Sequence, residues 1–168
     1  MKNILKFFII VLLVNFMGCM KQAIPSTQQK VIQEKQFNKN QTYLVNKIKE
    51  FFGENYEYPD AFKNIQELKY NDKIVLLVPV SVKYPCDGVE CIAKGNWSIL
   101  FKMKIVIKQN IVKVFVFNFR LNIPSSYNST FGYQKGSTVI IRMDDDWQKA
   151  KMITSNIINS LFKYIDHN

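Results

Sequence analysis

Three stretches in the middle of this chain alternate apolar and other residues with a period of two, and they leave little choice of architecture. In residues 74–84 the even positions Ile74, Leu76, Val78, Val80, Val82 and Tyr84 are apolar. In residues 97–107 the odd positions Trp97, Ile99, Phe101, Met103, Ile105 and Ile107 are apolar, and in residues 115–123 the odd positions are so again. Successive side chains of a strand point to opposite faces, so each stretch predicts a strand with one buried face.

Pairing follows from matching apolar positions across turns. If Cys86 faces Cys91 across a hairpin, Val80 meets Trp97, Val78 meets Ile99 and Leu76 meets Phe101. For the next hairpin, one register sets Ile105 against Phe115, Met103 against Phe117, Phe101 against Phe119 and Ile99 against Leu121. A two-residue Gln109-Asn110 turn would instead set Lys104 against Phe115 and Lys102 against Phe117, so the first register is preferred. Asn110 is then the residue suited to a left-handed turn position.

Around these strands, residues 31–37 read as a first strand and "NQTYLVNKIKEFFG" as a helix. Leu44, Ile48 and Phe51/Phe52 recur at helical spacing, with Asn40 or Thr42 to cap the start and Gly53 to end it. Residues 65–70 form a further short strand before an Asn71-Asp72 turn. Residues 124–143 are a Ser/Gly/Tyr-rich excursion with a short strand at 139–141. The segment "DDDWQKAKMITSNIINSLFKYI" is an amphipathic helix, with Trp147, Ala150, Ile153 or Thr154, Ile157, Leu161 and Ile165 inward and an Asp145/Gln148 capping box. The expected fold is a single α+β domain over residues 31–168, ordered strand, helix, four antiparallel strands, helix, with the helices on one face. This order, with "VIQEKQFNKNQTYLVNKIKEFF" followed by hairpins and "IVIKQNIVKVFVFNF", is similar to the bacterial domain of unknown function assigned a fold like one repeat of the TATA-binding protein. The resemblance implies a curved sheet and brings no functional residues with it.

Lys2 and Lys6 precede an apolar run, Phe7 to Val14, far shorter than the ~20 residues that cross a bilayer, which marks a secretory signal. The "FMGC" that follows resembles the lipobox of bacterial lipoproteins. That resemblance implies removal of residues 1–18 and lipidation of Cys19, with residues 19–30 as a flexible tether. No aspartate follows Cys19, and by the same analogy the outer membrane, facing the periplasm, is the expected address. Export would put Cys86 and Cys91 in an oxidising compartment, where a disulfide is expected and would stabilise by roughly 2 kcal/mol.

The chemistry-bearing residues are few. His167 is the sole histidine, which removes Ser-His and Cys-His catalysis and His-rich metal sites; no cofactor and no metal is expected. The run Asp144-Asp145-Asp146 is explained by helix capping. "GYQKGST" lacks the spacing of a phosphate-binding loop. The formal charge of +10 falls by the two lysines of the signal to +8, but Arg120 and Arg142 are the only arginines, and an exported domain meets no nucleic acid. By the registers above, the sheet face away from the helices gathers Val75, Leu77, Leu100, Val106, Val114 and Val116 with Lys83, Lys102, Lys104, Lys108 and Arg120, a half-apolar, half-basic surface. The function expected is that of a membrane-anchored binding or scaffolding module, not an enzyme, whose partner is an envelope protein, lipid or anionic glycan. A hydrolase of envelope polymers, or an inhibitor or immunity protein, are the alternatives.

Overall fold

A central strand flanked on both sides organises the molecule, whose structure, a computed structural model, describes residues 24–55, 65–128 and 132–167. The expected signal segment, residues 1–18, and Cys19 lie outside the described residues. The elements are β1 (Val31–Gln36), α1 (Gln41–Asn55), β2 (Gln66–Lys69), β3 (Ile74–Lys83), a short helix α2 (Glu90–Lys94), β4 (Ser98–Lys108), β5 (Ile111–Ile123), β6 (Ser126–Asn128), β7 (Gly132–Gln134), β8 (Ser137–Ile140) and α3 (Asp144–His167). The main sheet is antiparallel in the order β1-β5-β4-β3-β2, and β8 adds to β5 beyond the end of β1. Thus the 124–143 excursion extends the sheet, while β6 and β7 pair as a separate hairpin.

Both long helices pack on one face, as the apolar spacing requires. From α1, Leu44, Val45, Ile48, Phe51 and Phe52 are buried, and from α3, Trp147, Ala150, Thr154, Ile157, Ile158, Leu161, Phe162 and Ile165. Thr154 takes the inward place beside a half-buried Ile153, because its hydroxyl can donate to the carbonyls of Ala150 and Lys151. Asn40 caps α1 by accepting from the Tyr43 N–H at 2.9 Å, and the helix runs through Gly53 to Asn55. At the start of α3, Gln148 donates to Asp144.

Two registers differ from the sequence expectation. Between β3 and β4, Ile74 pairs with Ile107, Leu76 with Ile105, Val78 with Met103 and Val80 with Phe101, so each partner is four residues from the one expected. The shift is even and leaves every side chain on its expected face. It arises because the two cysteines do not face each other across a hairpin: residues 85–96 form a longer connection containing α2, in which the Cys86 and Cys91 sulfurs lie at bonding distance with Cα atoms 5.1 Å apart.

Between β4 and β5 both candidate registers are used. The two-residue turn is adopted, with Lys108 opposite Ile111, Lys104 opposite Phe115 and Lys102 opposite Phe117; beyond a bulge, Leu100 pairs with Arg120 and Ile99 with Leu121. Gln109, not Asn110, takes the positive φ of the turn, and Asn118 takes that of the bulge. The strand therefore changes phase: Val112, Val114 and Val116 enter the core first, then Phe119 and Leu121. The Lys–Phe pairings are tolerated because they fall on the face without helices, where a lysine stem lies along a ring while its ammonium reaches water.

Replacing Gln109 with glycine is expected to stabilise the domain by about 0.5–1 kcal/mol, since glycine takes a positive φ without strain. Asn118→Val is expected to destabilise it by about 1–3 kcal/mol, because a β-branched residue resists that conformation. Urea unfolding of both variants checks the assignment; unchanged midpoints would refute it.

Candidate binding face

β4 presents its even positions to the face opposite the helices: Leu100, Lys102, Lys104, Val106 and Lys108. The registers set rows across them. Lys104 lies between Phe115 of β5 and Leu77 of β3, with Ile32 of β1 beyond the ring, and Lys102 lies between Phe117 and Pro79. Val106 lies between Lys113 and Val75, which Leu68 of β2 flanks in turn. Leu100 lies between Arg120 and Ser81, and Lys83 stands opposite Ser98.

The lysines of this surface divide into two kinds. Lys108 pairs with Asp72 at 2.9 Å and Lys113 with Glu34 at 2.8 Å, and the Lys108 contact holds the Asp72 carboxyl below its ordinary value. Among the described residues, no carboxylate lies within ion-pairing distance of Lys83, Lys102, Lys104 or Arg120. Arg120 donates instead to the Asn118 side chain at 3.3 Å. Of the expected face, Lys83, Lys102, Lys104, Lys108 and Arg120 are exposed and Leu77, Leu100 and Val106 half-buried, whereas Val75 is buried. Val114 and Val116 do not belong to it: both are fully buried against the helices. Phe115 and Phe117 hold the corresponding places on the open face, which the rejected two-residue turn would have indicated.

A second constellation was not legible in the sequence. Tyr84 follows β3 directly and is buried against Trp97, with ring centroids 6.1 Å apart, and its hydroxyl donates to the buried carboxylate of Asp146 at the start of α3. Lys94 of α2 reaches Asp146 at 3.0 Å, Tyr84 at 3.2 Å and Glu90 at 3.3 Å, and Lys149 bonds the other oxygen of Glu90. Burial lowers the Lys94 ammonium, but Asp146 and Tyr84 together outweigh it and leave its pKa raised. Lys149, first, and Lys94 hold Glu90 below its ordinary value. Asp146 is therefore more than a helix cap: with Glu90 it fastens the cysteine-bearing connection to α3. That connection displays Val89 and Ile92, both more than four-fifths exposed. Among the described residues, no group of three or more His, Cys, Asp or Glu side chains is placed to hold a metal ion.

No protein-family model matches the sequence, and no curated protein matches it. Among solved structures, the chain is similar to a TBP-like protein from Parabacteroides distasonis, with a TM-score of 0.46 and 12% identity over 84% of this chain and 96% of that one. It is also similar to a DUF4468 family protein from Bacteroides ovatus, with a TM-score of 0.45 and 11% identity over 84% of this chain and 87% of the other.

Burial, first, and then Asp146 raise the Tyr84 phenol above its ordinary 10.0. A raised group contributes stability that is whole below the unfolded value and lost as pH rises through the folded one. Tyr84→Phe is thus expected to give a shallower loss of stability above pH 10.0, and to cost about 1–3 kcal/mol at neutral pH by depriving buried Asp146 of a donor. Thermal unfolding of both proteins across the alkaline range measures this; superimposable curves would exclude the network.

Proposed function

We propose that this chain is a lipoprotein of the cell envelope, anchored through an acylated Cys19 in the outer membrane. It carries into the periplasm one α+β domain that binds an acidic envelope protein with its open sheet face. The observation that supports this reading is the pair Lys102 and Lys104, set among Phe115, Phe117, Leu77 and Pro79 and lacking any carboxylate partner among the described residues. On the same sheet Lys108 and Lys113 each have a carboxylate partner, so Lys102 and Lys104 are set apart from their neighbours. Two uncompensated ammonium groups favour an anionic partner through electrostatic complementarity, and the rings beside them favour one with apolar contact to offer, aromatic residues being enriched at protein interfaces.

The hydrolase alternative needs two carboxyl groups facing each other across a cleft. Its nearest counterpart, Asp146 with Glu90, is bridged by Lys94 and backed by Lys149, an arrangement that suits a strut better than an acid and a nucleophile. The domain is read as a binding module on that account.

Intact mass measurement of the membrane fraction without reductant tests the anchor and the cystine together. The expected chain lacks residues 1–18, carries acyl mass on Cys19 and is two hydrogens light at Cys86 and Cys91; an unmodified, soluble Cys19 would refute the anchor. Crosslinked pull-down with Lys102→Glu, Lys104→Glu and Arg120→Glu combined tests the face. Recovery of a protein partner is expected to fall about tenfold or more, in keeping with loss of charge complementarity, while the fold stays intact because all three side chains are exposed. Unchanged recovery would refute the face, and loss of a lipid or glycan in place of a protein would overturn the choice of partner.

A further inference from the structure

We infer that the corner of the domain formed by β8 and the start of α3 docks onto the bilayer that holds the lipid, which fixes the domain's orientation instead of leaving it free on a tether. This rests on the acylated Cys19 proposed above and asks where a domain so anchored would touch its membrane.

The first observation is the shortness of the leash. The expected tether spans residues 19–30, yet its described part is docked: the Ile24 N–H donates to the Arg142 carbonyl at 3.3 Å. Gln29, buried, donates through its side chain to the carbonyls of Ile141 at 2.7 Å and Ile24 at 3.3 Å. Five Cα–Cα steps then separate Cys19 from Ile24, a reach of at most about 18 Å. The headgroup layer takes up about 5–7 Å of it. The remainder, about 11–13 Å, is shorter than the ~14 Å radius of gyration of a domain this size, so the corner at Ile24 is held within that distance of the membrane surface and the far side of the domain is kept away from it.

The second observation is what that corner displays. On β8, Val139 opposite Leu121 and Ile140 opposite Arg120 point to the two faces of the sheet edge and expose 42% and 45% of their surface, and Met143 exposes 52%, while Ile141 is fully buried and accepts the hydrogen bond from Gln29. Arg142, exposed, stands between Ile141 and Met143 in the chain, and Lys135, also exposed, precedes β8. Apolar side chains interspersed with cations are the composition of surfaces that settle into the headgroup boundary of anionic membranes, where one acyl anchor gains from a second attachment. The patch and the point where the leash enters the fold coincide, because the backbone of Arg142 receives Ile24. Leu100, Arg120 and Ile140 share one row across the sheet, and Lys102 and Lys104 stand about 7 and 13 Å along β4 from that row.

The test uses the full chain, acylated in cells and placed in phosphatidylethanolamine–phosphatidylglycerol vesicles that contain a headgroup spin-labelled lipid. Single bimane labels are read at Ile140→Cys, Met143→Cys and, as the distant control about 27 Å from Leu100 along β4, Lys108→Cys. Quenching at the first two is expected to exceed the control about threefold or more, consistent with insertion to headgroup depth. In a second chain, Val139→Glu, Ile140→Glu and Met143→Glu together are expected to lower quenching of a Lys135→Cys label to the control level while the acylated protein still floats with the vesicles. Acylated, vesicle-bound protein with equal quenching at all three positions, or a triple variant that leaves the Lys135→Cys signal unchanged, overturns the docking alone. Absence of acyl mass on Cys19 in the same sample overturns the anchor and the docking with it.

Discussion

The two faces of β4 carry the structure. Its odd side, Ile99, Phe101, Met103, Ile105 and Ile107, is almost wholly withdrawn from water beneath α1 and α3, and hydrophobic burial of that kind is the main force available to a domain of this size. Every neighbouring strand must present its apolar residues to the same side, and whatever remains is presented on the other. The open face is therefore the complement of the core: Lys102 and Lys104 are where they are because Phe101, Met103 and Ile105 are inside.

Around that sheet, the polar connections act as fasteners. Tyr84, Lys94 and Asp146 tie the cysteine-bearing connection to α3, and Gln29 ties the incoming chain to the backbone at Ile141. The Asp146 carboxylate and the Gln29 amide nitrogen are each bonded to partners distant in sequence, an arrangement that holds only when each partner is in place. Lys35 with Asp166 adds an exposed link between β1 and the end of α3, whose contribution in water is small.

How much was legible in the sequence depended on how many phases of a pattern were apolar. In β4 the even positions include three lysines, so the buried side could be read directly. In β5 valines occupy positions 112, 114 and 116 while the odd positions hold Ile111, Lys113, Phe115 and Phe117, so both phases are largely apolar, and the strand in fact uses both. The β3–β4 faces were readable while their partners were not, since an even shift leaves the pattern untouched and only the length of the 85–96 connection sets it. Asp146 was hidden inside a run of three aspartates whose position at a helix start already explained them. Its partner Tyr84 is 62 residues away, and no local signal joins the two.

The bulge at Asn118 has a bearing on how the chain finds its native pairing. An ordinary hairpin whose strands slide by two residues keeps its apolar residues on one side, so such slips are weakly opposed. Here a two-residue slip of β5 against a bulge fixed on β4 would carry it to Val116 or Arg120, which would have to adopt the left-handed conformation that Asn118 accommodates. The irregularity thus works as a pawl: misaligned β4–β5 ribbons are penalised locally, before the helices arrive to cover them.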